Sequence, residues 1–395
     1  MTEFLFSDKE KEFIEKNKDF NVNELALKIK DGQDFRSKYV LRQISGRQLM
    51  KNKMPLWEKN SLIVYPEHLP LEQCSSLFTA CYKRKIVEKN LKDFSLMVDL
   101  TGGFAVDFFS ISEGFQKAFY VEHNAELCEI VRHNFGVLER KNASFFNTDS
   151  LVFLKNASEK FSLIFIDPAR RDSKGKKTVR IQDCEPDITE FQDIMLEKSD
   201  LVMIKLSPML DISNSLSELK NVKEIHITAF DNECKEIIIL QQKDYSKEPE
   251  IHTVNGDENF SFFYSDEQKS ETVFWDGEIL DQKFLFEPNA AVMKSGAFKI
   301  LTKKFPVKKL HASSHLYVSD TDVYDFPGRR FRIVKASKPK DFSGMKANLA
   351  VRNFPVKAEE LKKKLNITDG GNVFLFTTTL KSGKKIIIQG EKLVK

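Results

Sequence analysis

The spacing of apolar positions changes twice along this chain. Up to about residue 92 they recur at helical intervals, in NVNELALKIK and in DFRSKYVLRQISGRQLM, with Asn21 and Asp34 placed as N-caps. A further helix is predicted over about 71–91, in LEQCSSLFTACYKRKIVEK, after Pro66 and Pro70. From residue 95 short apolar runs alternate with amphipathic stretches. The runs predict strands at 95–100, 117–122, 143–148, 161–167, 200–207, 222–230 and 234–242. The stretches between them predict helices at about 104–113, 125–136, 149–156, 188–197 and 211–219. Strands separated by helices imply parallel β-α-β units and a doubly wound α/β sheet. The last two strands are joined only by AFDNE, which predicts an antiparallel hairpin at one edge. Residues 243–286 are polar and strand-like with turn signals, NGDEN and WDGE, and read as a sheet extension or a connector. Beyond Glu287 the pattern becomes α+β, and its last stretch reads strand, helix, strand, turn, strand.

Composition narrows the class. A chain of 395 residues with 41% hydrophobic and 30% charged positions is a globular protein, and its length predicts two or three domains. The 34 Phe are read chiefly as core filler. No run reaches the length of a membrane span, and MTEFLFSDKEKEF lacks the basic and apolar regions of a signal peptide. The five Cys are odd in number and spread out, without a C-x-x-C pair, so reduced thiols and a cytoplasmic setting are expected. The seven His are dispersed as well, and no metal is expected from their spacing. Net charge is uneven. Residues 288–395 carry 23 Lys and Arg against 8 Asp and Glu, whereas residues 1–287 carry 39 against 50. A basic C-terminal part on an acidic body suits a polyanion partner; a lysine-rich solvated surface is the alternative.

The chemistry concentrates after the first strand of the sheet. Asp99 ends that strand and runs into DLTGGFAVDF, which opens a helix. Small residues at such a turn let the backbone approach a ligand, and the helix N-terminus favours negative groups. The spacing is D-x-x-x-G-x-A and lacks G-x-G-x-x-G. A carboxylate at the strand end suits a ligand carrying positive amino and sulfonium groups more than a pyrophosphate. Glu122 closes the second strand, where an acid can accept hydrogen bonds from ribose hydroxyls. Asn147-Thr148-Asp149 after the third strand stands where an adenine edge would lie. Taken singly, the Gly pair could be only a tight turn and Asp99 only a helix cap.

In this order the segments EQCSSLFTACYK (72–83), DLTGGFAVDF (99–108), FYVEHN (119–124), IDPARRD (166–172), DCEPD (183–187), IKLSPMLD (204–211), NECKE (232–236) and ANLAVRNFP (347–355) resemble the class I S-adenosylmethionine (SAM)-dependent methyltransferases, most closely the bacterial members with a C-terminal THUMP-like domain. The resemblance spans most of the chain from about residue 70. It implies an α/β fold with a Rossmann-like methyltransferase sheet, a helical N-terminal domain and a small α+β C-terminal region. The domains would be 1–92 (helical), 93–245 (SAM-binding), 246–286 (connector or sheet extension) and 287–395 (basic, THUMP-like or ferredoxin-like). It implies that Asp99, Gly103 and Glu122 contact SAM, Asp149 its adenine, and Ser76, Thr79 and Lys83 its methionine end. Thr101, Gly102, Phe104, His123 and Ser150 complete the expected cofactor set. The sequence departs from the usual pattern at Ala105, where Gly is more common and where Ala adds a methyl beside the cofactor.

Asp167-Pro168-Ala169-Arg170 stands at the end of the fourth strand, on the edge where open α/β sheets bind ligands. It is similar to the D/N-P-P-x motif of enzymes that methylate nitrogens, with Ala169 for the second Pro. Asp167 would accept a hydrogen bond from an acceptor N–H, while Pro168 and Ala169 fix the turn; a helix cap is the plainer reading. A C5-uridine route needs a thiolate just beyond the fifth strand. That segment reads KLSPML, with Ser207 and no Cys, and Glu185 and Asp187 would blunt Cys184. Arg170, Arg171, Lys205 and Ser207 are candidate RNA contacts, the first two in a loop whose front half is basic up to Arg180 and suits phosphate positioning, an ordinary surface loop being the alternative. Arg329, Arg330 and Arg352 join them, because FPGRRFRIVK and VRNFPVKAEELKKKL interleave aromatics with cations. Phe331 and Phe354 could equally be core. The expected partner is tRNA or rRNA. A small-molecule or protein methyltransferase, and a SAM- and RNA-binding protein without catalysis, remain as alternatives.

Overall fold

The computed structural model describes residues 6–32, 35–170 and 181–394. Asp34 and Arg171 lie outside the described residues, as does the rest of the basic loop up to Arg180, and so does the side chain of Arg170. Two compact units result. The first holds Met1–Val222 with Ile239–Ser246; the second holds Lys223–Ile238 with Lys247–Lys395.

The first unit opens with six helices, α1 (Asp8–Asn17), α2 (Val22–Ala26), α3 (Ser37–Lys53), α4 (Pro55–Glu58), α5 (His68–Gln73) and α6 (Leu77–Asn90). Asn21 caps α2 as expected, its side chain accepting from the N–H groups of Asn23 and Glu24. The single helix expected over 71–91 is two. α5 ends at the extended residue Cys74, and Ser76 caps α6 by accepting from Thr79 N–H. Five parallel strands follow: β1 (Leu96–Asp99), β2 (Lys117–Glu122), β3 (Ala143–Asn147), β4 (Leu163–Ile166) and β5 (Leu201–Leu206). Helices α7 (Val106–Ile111), α8 (Ala125–Val137), α9 (Ser150–Asn156), α10 (Ile188–Lys198) and α11 (Ile212–Glu218) alternate with them or follow them. Covered on both faces, β4 and β5 are buried along their whole length, which is why LIFI and LVMIKL read as continuous apolar runs. Lys205 is the one charged residue in β5.

The next two strands, β6 (Val222–Phe230) and β7 (Glu233–Gln242), are joined through Asp231 and Asn232, both at positive φ. β7 passes from the second unit to the first at Ile238–Ile239. In the first unit the strand order is β3-β2-β1-β4-β5-β7. In the second it is β9-β8-β6-β7, with β8 (Glu250–Asn255) parallel to β6 and β9 (Glu258–Phe263) antiparallel to β8. The β6–β7 hairpin expected from AFDNE is present, but it is not an edge, because β8 and β9 extend the sheet beyond it.

The second unit also holds a seven-stranded sheet made of β10 (Phe284–Pro288), β11 (Lys308–Lys309), β12 (Tyr317–Ser319), β13 (Gly328–Ser337), β14 (Asn348–Val351), β15 (Val373–Thr379) and β16 (Lys385–Lys392), in the order β11-β12-β10-β13-β16-β15-β14. Leu285, Leu316 and Val318 share one core with Phe331, Phe376 and Ile388. The strand–helix–strand–turn–strand pattern of the last segment appears as β14, the helix Ala358–Leu365, β15 and β16. Among the described residues no helix is long and apolar enough to cross a membrane.

Candidate active site

The turn after β1 is held from several sides. Gly102 N–H donates to Val121 O at 2.9 Å, and Ala105 N–H to Gly102 O at 3.0 Å. A Cβ on Gly102 would stand 2.0 Å from the Tyr120 ring, so only Gly lets the loop lie on that ring. Tyr120 in turn donates its hydroxyl to Gly103 O at 2.6 Å. Gly103 and Ala105 both adopt left-handed conformations, φ 54° and 62°. Ala105 therefore occupies a backbone position that Gly fills without strain, which is the physical meaning of the departure noted in the sequence.

Four carboxylates gather where these strands end. Asp99 is buried and accepts from Thr101 N–H at 3.0 Å. Burial pushes its carboxyl well above the usual range; the Thr101 bond opposes this, while the charges of Asp107, Asp167 and Glu122 add to it. Glu122, also buried, accepts from Gly103 N–H at 3.0 Å and from Asn124 N–H at 2.8 Å, so it clamps the β1 turn to the end of β2. A carboxylate offers about four acceptor sites, which leaves capacity for ribose hydroxyls. The backbone N–H of Asp167 donates to Thr101 Oγ1 at 2.6 Å, and its carboxylate meets Lys205 Nζ at 2.6 Å. Lys205 also reaches Asp107 Oδ2 at 3.3 Å, and the fully buried Lys83 lies 3.0 Å from Asp107 Oδ1. Ser75 donates to Asp107 Oδ2 at 2.7 Å. Burial alone would raise the Asp107 carboxyl, but Lys83, Lys205 and Ser75 outweigh it and hold it low. The result is an alternating chain of charges, Lys83–Asp107–Lys205–Asp167, that ends at the edge of the sheet.

The structure brings Asp99, Thr101, Gly102, Gly103, Glu122 and Asp167 together, and it gives several other expected site residues different work. Lys83 is committed to Asp107, and Lys205 to Asp107 and Asp167. The Phe104 ring is buried against Trp57, centroids 5.3 Å apart, so only its backbone is at the turn. Ser76 and Thr79 form the first turn of α6, bonded to each other. Asp149 caps α9, accepting from Leu151 and Val152 N–H, and Ser150 donates to Leu100 O at 2.5 Å, at the tip of β1. His123 is exposed, with Nδ1 3.1 Å from Glu122 Oε1. Pro168 is buried, and Ala169 and Arg170 pair through their backbones with Glu185 and Cys184. Ser207 accepts from Met209 N–H. Asp107 and Ser75 were not among the expected site residues; an acid in the first turn of α7, with a Lys on the preceding helix, was the available signal.

In the second unit Arg330 is 3% exposed and paired with Asp322 at 2.5 Å. A side chain so enclosed does not contact RNA, which corrects the expectation for this residue. Arg329 and Arg352 both close on the buried Glu287. Phe331 is core, whereas Phe354 is partly buried and lines a hollow of about 560 Å³ with Val351, Asn353, Pro355, Thr379 and Lys385.

A parallel sheet ordered 3-2-1-4-5, with a glycine turn and acids at the carboxyl ends of its strands, is a Rossmann-like sheet, a fold that binds its ligands at those ends. Residues 79–230 match the family described as conserved hypothetical protein 95, residues 284–327 a ferredoxin-like domain, and residues 328–392 a THUMP domain-like family. The structure is similar to that of a candidate methyltransferase from Porphyromonas gingivalis W83, with TM-score 0.86 and 28% identity over 99% of this chain and 100% of that one. A candidate methyltransferase from Streptococcus mutans, crystallised with S-adenosylhomocysteine, is far more distant: TM-score 0.32 and 14% identity over 41% of this chain and 96% of that one. An rRNA methylase from Streptococcus thermophilus is equally remote, with TM-score 0.32 and 13% identity over 41% of this chain and 94% of that one. No curated protein matches the chain. The chain thus joins a methyltransferase-like domain to ferredoxin-like and THUMP-like C-terminal parts. β10 pairs with β13 across the boundary between the last two matches, so these share one sheet.

Proposed function

We propose that this chain is a SAM-dependent methyltransferase that modifies a base nitrogen of structured RNA, a tRNA or an rRNA, with Asp167 orienting the acceptor. The observation that carries the reading is the convergence of Asp99, Glu122 and Asp167 at the carboxyl ends of β1, β2 and β4. Three acids clustered there, one of them a buried carboxyl pushed upward, fit a ligand that brings positive charge and hydroxyl donors. When bound, SAM supplies a methyl group already activated on a sulfonium. Asp99 would face its positive end and Glu122 its ribose. Lys205 holds the Asp167 carboxylate in one orientation, which leaves its remaining acceptor capacity for an acceptor N–H. Cys184 is buried, and its backbone pairs with that of Arg170, which favours the nitrogen route over a thiolate one.

Support for RNA comes from the THUMP domain-like match over 328–392 and from the cationic excess of residues 288–395. The exposed Arg332, Lys338, Lys340, Lys363 and Lys364 are better placed for phosphate contact than Arg330. Calorimetric titration with SAM tests the cofactor site: Asp99→Ala or Glu122→Ala should abolish binding. Modified-nucleoside profiles of RNA from cells with and without this gene test the substrate; identical profiles would remove RNA from the reading.

A further inference from the structure

Two segments with the same order of residues, Glu224-Ile225-His226 and Glu250-Ile251-His252, lie on the neighbouring parallel strands β6 and β8 of the second unit. Their register sets Glu224 opposite Glu250 and His226 opposite His252. Paired positions in a parallel ladder share a face, and positions two apart on a strand do too. Two carboxylates and two imidazoles therefore stand together on one face of the sheet. The imidazole rings stack with centroids 4.5 Å apart and planes 13° from parallel. Glu224 Oε2 is 3.0 Å from His226 Nε2, and Glu250 Oε2 is 3.4 Å from His252 Nε2. One ligating atom each from Glu224, His226 and His252 lie within 4.8 Å of one another. Glu224 and His226 are buried and His252 is half-buried.

We propose that Glu224, His226 and His252 bind a divalent first-row transition cation, with Zn²⁺ as the reference ion, and that this ion ties β6 to β8. Imidazole nitrogen and carboxylate oxygen are the ligands such ions take, and three protein ligands leave a fourth position for Glu250 or water. Bonds of about 2.0–2.2 Å to a tetrahedral ion place ligand atoms roughly 3.3–3.6 Å apart. The dispersed His of the sequence gave no ligand spacing because strand register, and not chain proximity, assembles this set.

The test uses the full-length, tag-free protein, stripped with a chelator and titrated with Zn²⁺ against a chromogenic competitor. One equivalent should bind. His226→Ala and His252→Ala should each weaken it at least about 100-fold, and Glu224→Gln about 10-fold or more. His68→Ala, at an exposed position, should leave it unchanged. Absence of a bound equivalent, or unaltered affinity in folded His variants, overturns the proposal. Should the His variants not fold, Co²⁺ loading of the unaltered chain decides. Intense visible absorption of a tetrahedral, histidine-ligated ion that weakens in Glu224→Gln supports the site, and the pale spectrum of hydrated Co²⁺ removes it.

Discussion

The methyltransferase-like sheet of the first unit and the seven-stranded sheet of the second both enclose charged side chains, yet they balance them differently. Around the carboxyl ends of β1, β2 and β4, Asp107 and Asp167 pair with two buried cations, Lys83 and Lys205, while Asp99 and Glu122 accept from backbone N–H groups. Asp99 and Glu122 take no part in those ion pairs, and the proposed ligand would bring its positive charge to them. In the second unit Glu287 meets both Arg329 and Arg352, while Asp322 meets Arg330. There the matched groups are spent on holding strands together. A cluster of charge marks a site when its internal partners fall short, and marks structure when they suffice.

The largest test of this contrast is Asp167→Ala. Turnover should fall by about 10²–10⁴, the usual worth of a proton-handling group, with SAM affinity measured by calorimetry nearly unchanged. Full activity would leave Asp167 only as the ion-pair partner of Lys205. Lys83→Met should rank next. It strips one partner from a buried carboxylate, and chemical denaturation should show a loss of about 3–5 kcal/mol. The same experiment on Arg330→Ala should cost stability, whereas Lys363→Ala and Lys364→Ala should cost almost none; a drop in RNA affinity confined to the lysine pair would confirm that the two sets of cations differ.

Asp99 gives a prediction of opposite sign. Its carboxyl is raised by burial, so the stability it allows is present at low pH and is lost as pH climbs through the raised value. Asp99→Asn should therefore stabilise the ligand-free protein at neutral pH by about 1–3 kcal/mol, flatten its stability above the usual carboxylate range, and forfeit SAM binding. Glu10 runs the other way. Burial would raise it, but bonds from Arg36 and from Ser7 N–H hold it at about 2, so its contribution fades as pH falls below the ordinary carboxylate range. A small gain is expected of Ala105→Gly, which removes the strain of a left-handed Ala and should add about 0.5–1 kcal/mol, read as a rise in Tm.

Much of the sheet was legible because its signals are local. The predicted strand over 222–230 matches β6, and the predicted strands and helices from β1 to α11 fall within about three residues of the observed ends. Asp99, Glu122 and Asp167 could be found because each follows an apolar run, and the end of a parallel strand is where such folds bind. Pairings across the chain were not legible. Lys205 and Asp107 are 98 positions apart, and nothing in LVMIKL says which acid its lysine will face. FPGRRFRIVK alternates cations and aromatics whether Arg330 points to solvent or to Asp322.

The amino-acid order by itself thus determined the period of each element, the turn that needs Gly102 and Gly103, and the acids at the strand ends. Each depends on residues within a few positions of one another. Only the tertiary structure decided that Lys83 and Lys205 answer to Asp107, that Arg330 and Phe331 are interior, and that His226 meets His252. Those facts depend on strand register and on which faces are covered, and burial then makes an unmatched charge too costly to leave alone.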